Sequence, residues 1–260
     1  MRVKCMLNIL LWSHPICIFL NAKLHNMLSF HTTYLYINGS YDENKALQYA
    51  SYDGNYDIVE LLIGKGCDIH ADNDFALRLA AEKGHYDIVE LLIEYGANVR
   101  AGNDHSLRLA TIKCHYDIVK KLIKYGANIH CSNNYPIQCA LEHGYSDIVN
   151  LLLKNGADVY HIKDHALRTA AVNGNSDIIK LLIENGADVH TYNDHALQSA
   201  VHFGHYHVVK MLIENGADVH AVDYYGHRYA LQNGHHDIIN LLIKNGSSIK
   251  LDDNYVYVDI

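Results

Sequence analysis

The stretch GHYDIVELLIEYGANV, residues 84–99, returns with few changes at 114–129, 144–159, 174–189 and 204–219. Glycine recurs at a strict step of 30 residues, at positions 66, 96, 126, 156, 186, 216 and 246. A step of this size is typical of a supersecondary unit repeated in tandem, because each unit is too small to bury its own apolar face. The sequence therefore predicts seven repeats over residues 41–250 in one elongated domain, a separate segment at 1–40 and a short tail at 251–260.

The composition is typical of a folded protein and shows no basic patch that would bind a polyanion. Hydrophobic residues make up 49% and charged residues 19% of the 260, which is enough apolar surface for a packed core. The formal charge is −8, and the 21 Lys and Arg are scattered, so we expect no nucleic-acid binding. The six cysteines form no CxxC pair and no zinc-ligand spacing, and we expect free thiols.

Each repeat is predicted to contain two helices. In the unit 71–100, Asp74 precedes a run of helix formers that stops at Gly84, which is the pattern of an N-cap and a glycine C-terminus. A second helix follows from Tyr86 to Gly96, with an apolar face wide enough to pack between two neighbouring repeats. Equivalents of Asp74 occur at Asn44, Asp104, Asn134, Asp164 and Asp194, and Tyr224 breaks the series.

Two substitutions within the repeat are predicted to be locally unfavourable. Cys114 stands where the other repeats end the first helix with glycine, so it should adopt a left-handed conformation at a cost of about 1 to 3 kcal/mol. Gly64 lies inside the second helix of the first repeat, where glycine costs about 1 kcal/mol relative to alanine.

The unit resembles the ankyrin repeat. The matching residues are Gly84-His85, the Ile88–Leu92 run and the Gly96–Val99 segment. The resemblance implies an all-α repeat solenoid, an ankyrin-like stack of helix-turn-helix units with a projecting β-hairpin finger after each second helix. The unit is shorter than the family's usual length of about 33 residues, and the loss between Val99 and Leu107 predicts shortened fingers.

Two further observations concern this resemblance. Arg78, Arg108 and Arg168 replace the histidine that the family places in the first helix. The 30-residue unit looks like the ankyrin proteins of giant amoeba-infecting DNA viruses, which are mimivirus-like.

Residues 1–40 do not follow the repeat. Met1–Lys4 is basic and Cys5–Leu20 is mostly apolar, but Asn8, His14 and Pro15 interrupt the apolar run. We expect a cap over the first repeat, with a signal peptide, a membrane anchor or an unstructured start as alternatives. The expected location is the cytoplasm, that of the host cell for a viral protein, and secretory or membrane targeting is less favoured.

The repeat pattern argues against an enzyme. Catalysis needs different residues at one place, whereas a repeat distributes equivalents along a line, and adjacent pairs such as Asp104-His105 point apart on a helix start. We expect no cofactor. The only local histidine cluster is His202, His205 and His207, with His235 or His236 from the next repeat; helix spacing of about 8 to 10 Å argues against a metal site.

By resemblance, a protein partner binds the concave surface formed by the fingers and the exposed side of the first helices. The variable positions there carry many aromatic, imidazole and charged side chains, which supply large contact areas. The candidate partner-binding residues are Phe75, Arg78, Glu82, Lys83, His105, Arg108, Lys113, Tyr135, His165, Arg168, His195, Phe203 and Tyr225.

The function predicted from these features is that of a noncatalytic, monomeric scaffold for a macromolecular partner, a host protein for a viral source. One alternative is the substrate-receptor adaptor of a ubiquitin ligase. The other is a membrane-tethered or secreted effector that uses residues 5–20.

Overall fold

The structure is a computed structural model, which describes residues 43–157, 163–247, 249–252 and 255–258. The segment 1–40, with its predicted cap or signal sequence, lies outside the described residues. No helix in the described ranges is long and apolar enough to cross a lipid bilayer.

The described residues form seven helix pairs, as the 30-residue spacing of the glycines predicts. The helices are α1 Glu43–Asp53, α2 Tyr56–Gly64, α3 Ala71–Lys83, α4 Tyr86–Glu94, α5 Ala101–Ile112, α6 Tyr116–Lys124, α7 Cys131–His143, α8 Ser146–Lys154, α9 Lys163–Val172, α10 Ser176–Glu184, α11 Thr191–Phe203, α12 Tyr206–Glu214, α13 Tyr224–Gln232 and α14 His236–Lys244. Two strands, β1 Ile249–Asp252 and β2 Tyr255–Val258, follow α14 and pair antiparallel.

The helices fall into two compact units, one ending at Ala97 and one beginning at Asn98. In the first unit, α1 packs on α3 and α2 on α4. In the second, the odd-numbered helices α5 to α13 pack on one another in order, and so do the even-numbered helices α6 to α14. Each unit therefore has two layers, one of first helices and one of second helices, which is the predicted all-α repeat architecture.

The core of each repeat comes from the same positions. The first helix of the second repeat buries Leu77 and Ala80, and its second helix buries Val89 and Leu92, all with no exposed area. Burying one such aliphatic side chain stabilises the fold by about 1.5 to 3 kcal/mol. The wide apolar face predicted for α4 is confirmed, since Leu91 is buried on the same helix.

The connections before the first helices differ from the family's finger. At Asp72, Asn73 and Asp74, within the bounds of α3, the backbone φ values are +52°, +63° and +55°, which is a left-handed turn before the regular part of the helix. The same turn occurs at 102–104, 132–134 and 192–194, and its middle residue is asparagine in all four. Asn and Asp tolerate this conformation better than other non-glycine residues. The predicted shortening of the finger is confirmed, but these four described connections contain no β-hairpin.

The sequence predicts that Asp74 and its equivalents cap their own first helices, and this prediction was wrong for Asp104 and Asp194. Asp104 is itself left-handed, and its Oδ1 accepts a hydrogen bond of 2.7 Å from the backbone N–H of Asn128, beyond the second helix of the same repeat. Asp194 accepts from Asp218 N–H in the same way at 3.0 Å. Both carboxylates are buried, so each fastens the end of its repeat to the beginning rather than capping its own helix.

The last repeat begins differently. Here Asp223 has extended backbone, and its Oδ1 accepts from Gly226 N–H at 2.9 Å, which is an ordinary N-cap. Tyr224, which breaks the Asp series in the sequence, is the first residue of α13. The cap has therefore moved one residue towards the N-terminus.

Both unfavourable positions lie where the sequence predicts them. Cys114 has φ +58°, a left-handed value, whereas the equivalent glycines span +70° to +84°. Gly64 is the last residue of α2, and a β-carbon there would meet no described atom within 4 Å.

Candidate interaction surface

The candidate residues all belong to one kind of surface. We call the exposed sides of the first helices, together with the turns that precede them, the first-helix face of each unit. The first unit carries it on α3 and the second unit on α5, α7, α9, α11 and α13.

In the first unit, the candidate side chains are held by their own repeat or its neighbour. The Arg78 guanidinium lies 4.6 Å above the Phe75 ring and donates a 2.6 Å hydrogen bond to the carbonyl of Asp72 in the turn. The Lys83 ammonium lies 4.2 Å from the centre of the Tyr52 ring and 3.9 Å from Glu82 Oε1. The contact with Tyr52 raises the pKa of Lys83. These four candidates form a surface that carries charged side chains held by neighbouring residues.

In the middle of the chain, two of the candidate side chains also contact residues of their own repeat. Arg108 donates to the carbonyl of Gly102 at 3.2 Å, so it braces the turn of its own repeat as Arg78 does. Tyr135 is half-buried, and this burial, with Cys139 beside it, raises the pKa of its hydroxyl. His105 is half-buried and Lys113 is exposed.

The remaining five candidates converge in the second unit. His165, Arg168 and His195 line a depression of about 400 Å³ between α9 and α11. Arg168 and His195 also line a second depression of about 570 Å³ towards α13, together with Phe203 and Tyr225. The two depressions adjoin through Arg168 and His195 and form what we call the arginine groove.

Sequence reasoning missed two aromatic members of the groove, Tyr192 and Tyr229, and it named His202 without selecting it as a candidate partner-binding residue. Tyr192, in the left-handed turn before α11, is 75% exposed and lines the first depression. His202 stacks on Tyr229 with ring centres 3.7 Å apart, and both line the second depression. A partial signal was present at Tyr229, since the position varies from repeat to repeat: the equivalents are Tyr49, Leu79, Leu109, Cys139, Thr169 and Ser199.

The histidines outside the groove mostly have structural partners. His205 Nε2 donates to the carbonyl of Val172 at 2.7 Å, and His85 does the same to Tyr52 at 2.9 Å. These rings lie against the glycine that ends the previous first helix. Among the described residues, no three His, Cys, Asp or Glu side chains converge to hold a metal ion.

His227 is a special case, because it replaces the buried leucine or, at Ile137, isoleucine of the other first helices. Its ring has no exposed area, Nδ1–H donates to the carbonyl of Asp223 at 3.0 Å, and Ser247 Oγ–H donates to Nε2 at 2.9 Å. Burial lowers the pKa of His227, so the ring is held neutral. It anchors the last repeat and is not accessible to a partner.

The described cysteines offer no activated nucleophile. Cys67, Cys114, Cys131 and Cys139 are free, as predicted. Burial raises the pKa of each thiol, that of Cys131 to about 11, so the thiolate form is scarce at neutral pH.

Comparison with known proteins agrees with this architecture. A family model described as "Ankyrin repeats (3 copies)" matches residues 19–103, 102–163 and 160–223. The first match begins inside the segment 1–40, and the last ends before α13. No curated protein matches the chain in a sequence search.

Proposed function

Because the chain belongs to the ankyrin repeat family, whose repeats are in general protein–protein interaction modules, we propose that it is a noncatalytic, monomeric scaffold that binds a protein partner on the first-helix face. The second unit carries the principal site, at the arginine groove. The partner is a host protein for a viral source, a reading that depends on the 30-residue repeat length alone, and binding takes place in the cytoplasm.

One observation carries this proposal: five candidate side chains, which come from three positions of the repeat, meet in the arginine groove. The equivalent positions of the other repeats brace turns or stack on their own helix, as Arg78 and Arg108 do. In the groove, Tyr225 is 72% and Phe203 is 51% exposed. Large rings that the fold leaves in water supply contact area to a partner at a small cost in side-chain entropy.

The test compares two triple variants as immobilised baits. The face variant carries His165→Ala, His195→Ala and Tyr225→Ala. The control variant carries Lys180→Ala, Lys210→Ala and Glu214→Ala, three exposed changes on the second helices α10 and α12. Proteins from the producing cell should be captured by the wild type and the control but not by the face variant.

Both baits should unfold within a few degrees of the wild type, since exposed substitutions change stability by about 0.5 kcal/mol or less. Equal capture by the face variant would place the site elsewhere. The ubiquitin-ligase and membrane alternatives depend chiefly on residues 1–40, and no described residue favours either.

A further inference from the structure

The arginine groove differs in composition from the rest of the first-helix face. A repeat chain provides its own comparison, because a residue that the fold requires recurs at the same position in other repeats. Phe203 corresponds to Lys83, Lys113, His143, Asn173 and Asn233, none of which has a benzene ring. Its ring is therefore not required by the repeat. The position of Tyr229 varies from repeat to repeat, with tyrosine again at Tyr49.

The aromatic side chains form one connected wall of the groove. The His202 ring stacks on Tyr229 and meets Phe203 edge-on with ring centres 4.9 Å apart. Val172 and Val222 lie beside them in the lining of the larger depression. A volume of about 570 Å³ with this lining accommodates a large apolar side chain from a partner.

The lining of the groove contains one basic side chain and several imidazoles. Arg168 is exposed, and the one hydrogen bond described for its guanidinium is a long contact of 3.4 Å to His165 Nδ1. Three imidazoles, those of His165, His195 and His202, line the same surface. Asp223 is the one carboxylate in the lining, whereas the chain as a whole carries −8.

The carboxylates near the groove are already engaged. Asp223 Oδ1 caps α13 through Gly226 N–H at 2.9 Å. Asp194 is buried beneath the turn, where its Oδ1 accepts from Asp218 N–H and lies 3.2 Å from His190 Nδ1. A partner that approaches Arg168 therefore meets a guanidinium whose charge no described carboxylate pairs with.

We propose that the arginine groove binds an extended acidic peptide segment of the partner protein. A carboxylate of the segment pairs with the Arg168 guanidinium, and a neighbouring aromatic or large aliphatic side chain enters the larger depression beside Tyr229 and Phe203. This inference rests on the proposed function and specifies the chemistry of its partner. The groove crosses three first helices about 10 Å apart, so about six extended residues span it.

The test measures binding of labelled synthetic peptides of about eight residues to the full chain by fluorescence polarisation. The first peptide contains Asp and Glu with central Phe and Leu. The second replaces Phe and Leu by Ser, the third replaces every acidic residue by Lys, and a single-stranded RNA of similar length is the fourth probe. We expect the first peptide to bind most tightly, and its affinity to fall as salt is added.

Two variants locate the site. Arg168→Gln removes the cation and should weaken binding of the first peptide about tenfold, the usual effect of losing a charge-assisted hydrogen bond. Tyr225→Ala should weaken it by a similar factor. Lys210→Gln is the matched control, because it removes an exposed cation on α12 that pairs with Glu214 at 3.8 Å, and it should bind as the wild type does.

Other outcomes overturn the inference in distinguishable ways. Tighter binding of the Lys peptide or of the RNA, or no binding of the acidic peptide, refutes the acidic-segment proposal but leaves the interaction face to be judged by the capture experiment. Unchanged binding of the acidic peptide to Arg168→Gln and Tyr225→Ala refutes the groove as its site. Failure of the proposed function itself would appear as equal capture by the face variant.

Discussion

Replacing Cys114 by glycine should stabilise the second unit. The backbone at Cys114 is left-handed, with φ +58°, and a non-glycine residue pays about 1 to 2 kcal/mol for this conformation. Glycine removes that strain but gives the unfolded chain more freedom, which costs about 0.4 to 1 kcal/mol. The difference is a net gain of about 0.5 to 1 kcal/mol in the free energy of unfolding.

The surroundings of Cys114 add little to this difference. The side chain is exposed, so its removal gives up little buried area. The pKa of its thiol is raised, first by burial of the sulfur and then by Asp147, so no charge is lost near neutral pH. The Tyr145 hydroxyl from the next repeat donates to the carbonyl of Ile112 at 3.3 Å, a contact that glycine at 114 leaves in place.

The assay is urea unfolding followed by circular dichroism, with thermal unfolding as a second measure. A gain of 1 kcal/mol corresponds to about 2 to 4 °C in Tm for a chain of this size. Lys113→Gly is the matched control, because Lys113 has right-handed backbone with φ −90° and ψ 4°, so glycine there should destabilise. Cys114→Ala keeps the β-carbon and should change stability by less than about 0.5 kcal/mol. The reasoning is wrong if Cys114→Gly lowers stability, or if alanine stabilises as much as glycine.

Three other substitutions test local features of the repeat by urea unfolding. Gly64→Ala should raise stability by up to about 1 kcal/mol, because a β-carbon there meets open space at the end of a right-handed helix; a loss would contradict that placement. Gly174→Ala should cost clearly more than Gly234→Ala, because both are left-handed but a β-carbon at Gly174 comes within 2.6 Å of the His205 ring, while none of the described atoms crowds one at Gly234. Equal costs would mean that backbone strain alone explains both. His227→Leu should make the free energy of unfolding less sensitive to acid. Because the folded-state pKa of His227 is lowered, neutral His227 contributes fully to stability above the unfolded-state pKa of 6.5, and this contribution is lost as pH falls below it. Parallel curves of stability against pH for the two proteins would refute this.

The helix pairs could be predicted because their signals are local. A glycine after each helix and an apolar run between two glycines determine where a second helix begins and ends, whatever the repeat packs against. Cys114 illustrates how far this goes. One departure from the glycine pattern predicted a left-handed cysteine, and the structure has one.

The connections could not be predicted to the same depth. The sequence shows that residues are missing between Val99 and Leu107, but the shape of the shortened segment depends on how its ends must meet. Three successive left-handed residues are rare, and the only local trace is an asparagine at the middle position, as at Asn103. The partner of Asp104 is equally hidden, because Asn128 lies 24 residues away and is brought close only by the packed helix pair.

The arginine groove shows why a repeat conceals some of its own information. The changes at Cys114, His227 and Tyr229 look alike in the sequence, since each residue differs from its counterpart in the preceding repeat. The structure separates them by burial and contact: Cys114 is strained, His227 is buried with both ring nitrogens bonded, and Tyr229 is 40% exposed against His202. Only the third kind of change leaves a large ring partly in water. Such variable positions, and not the invariant ones, are where we expect a partner to bind.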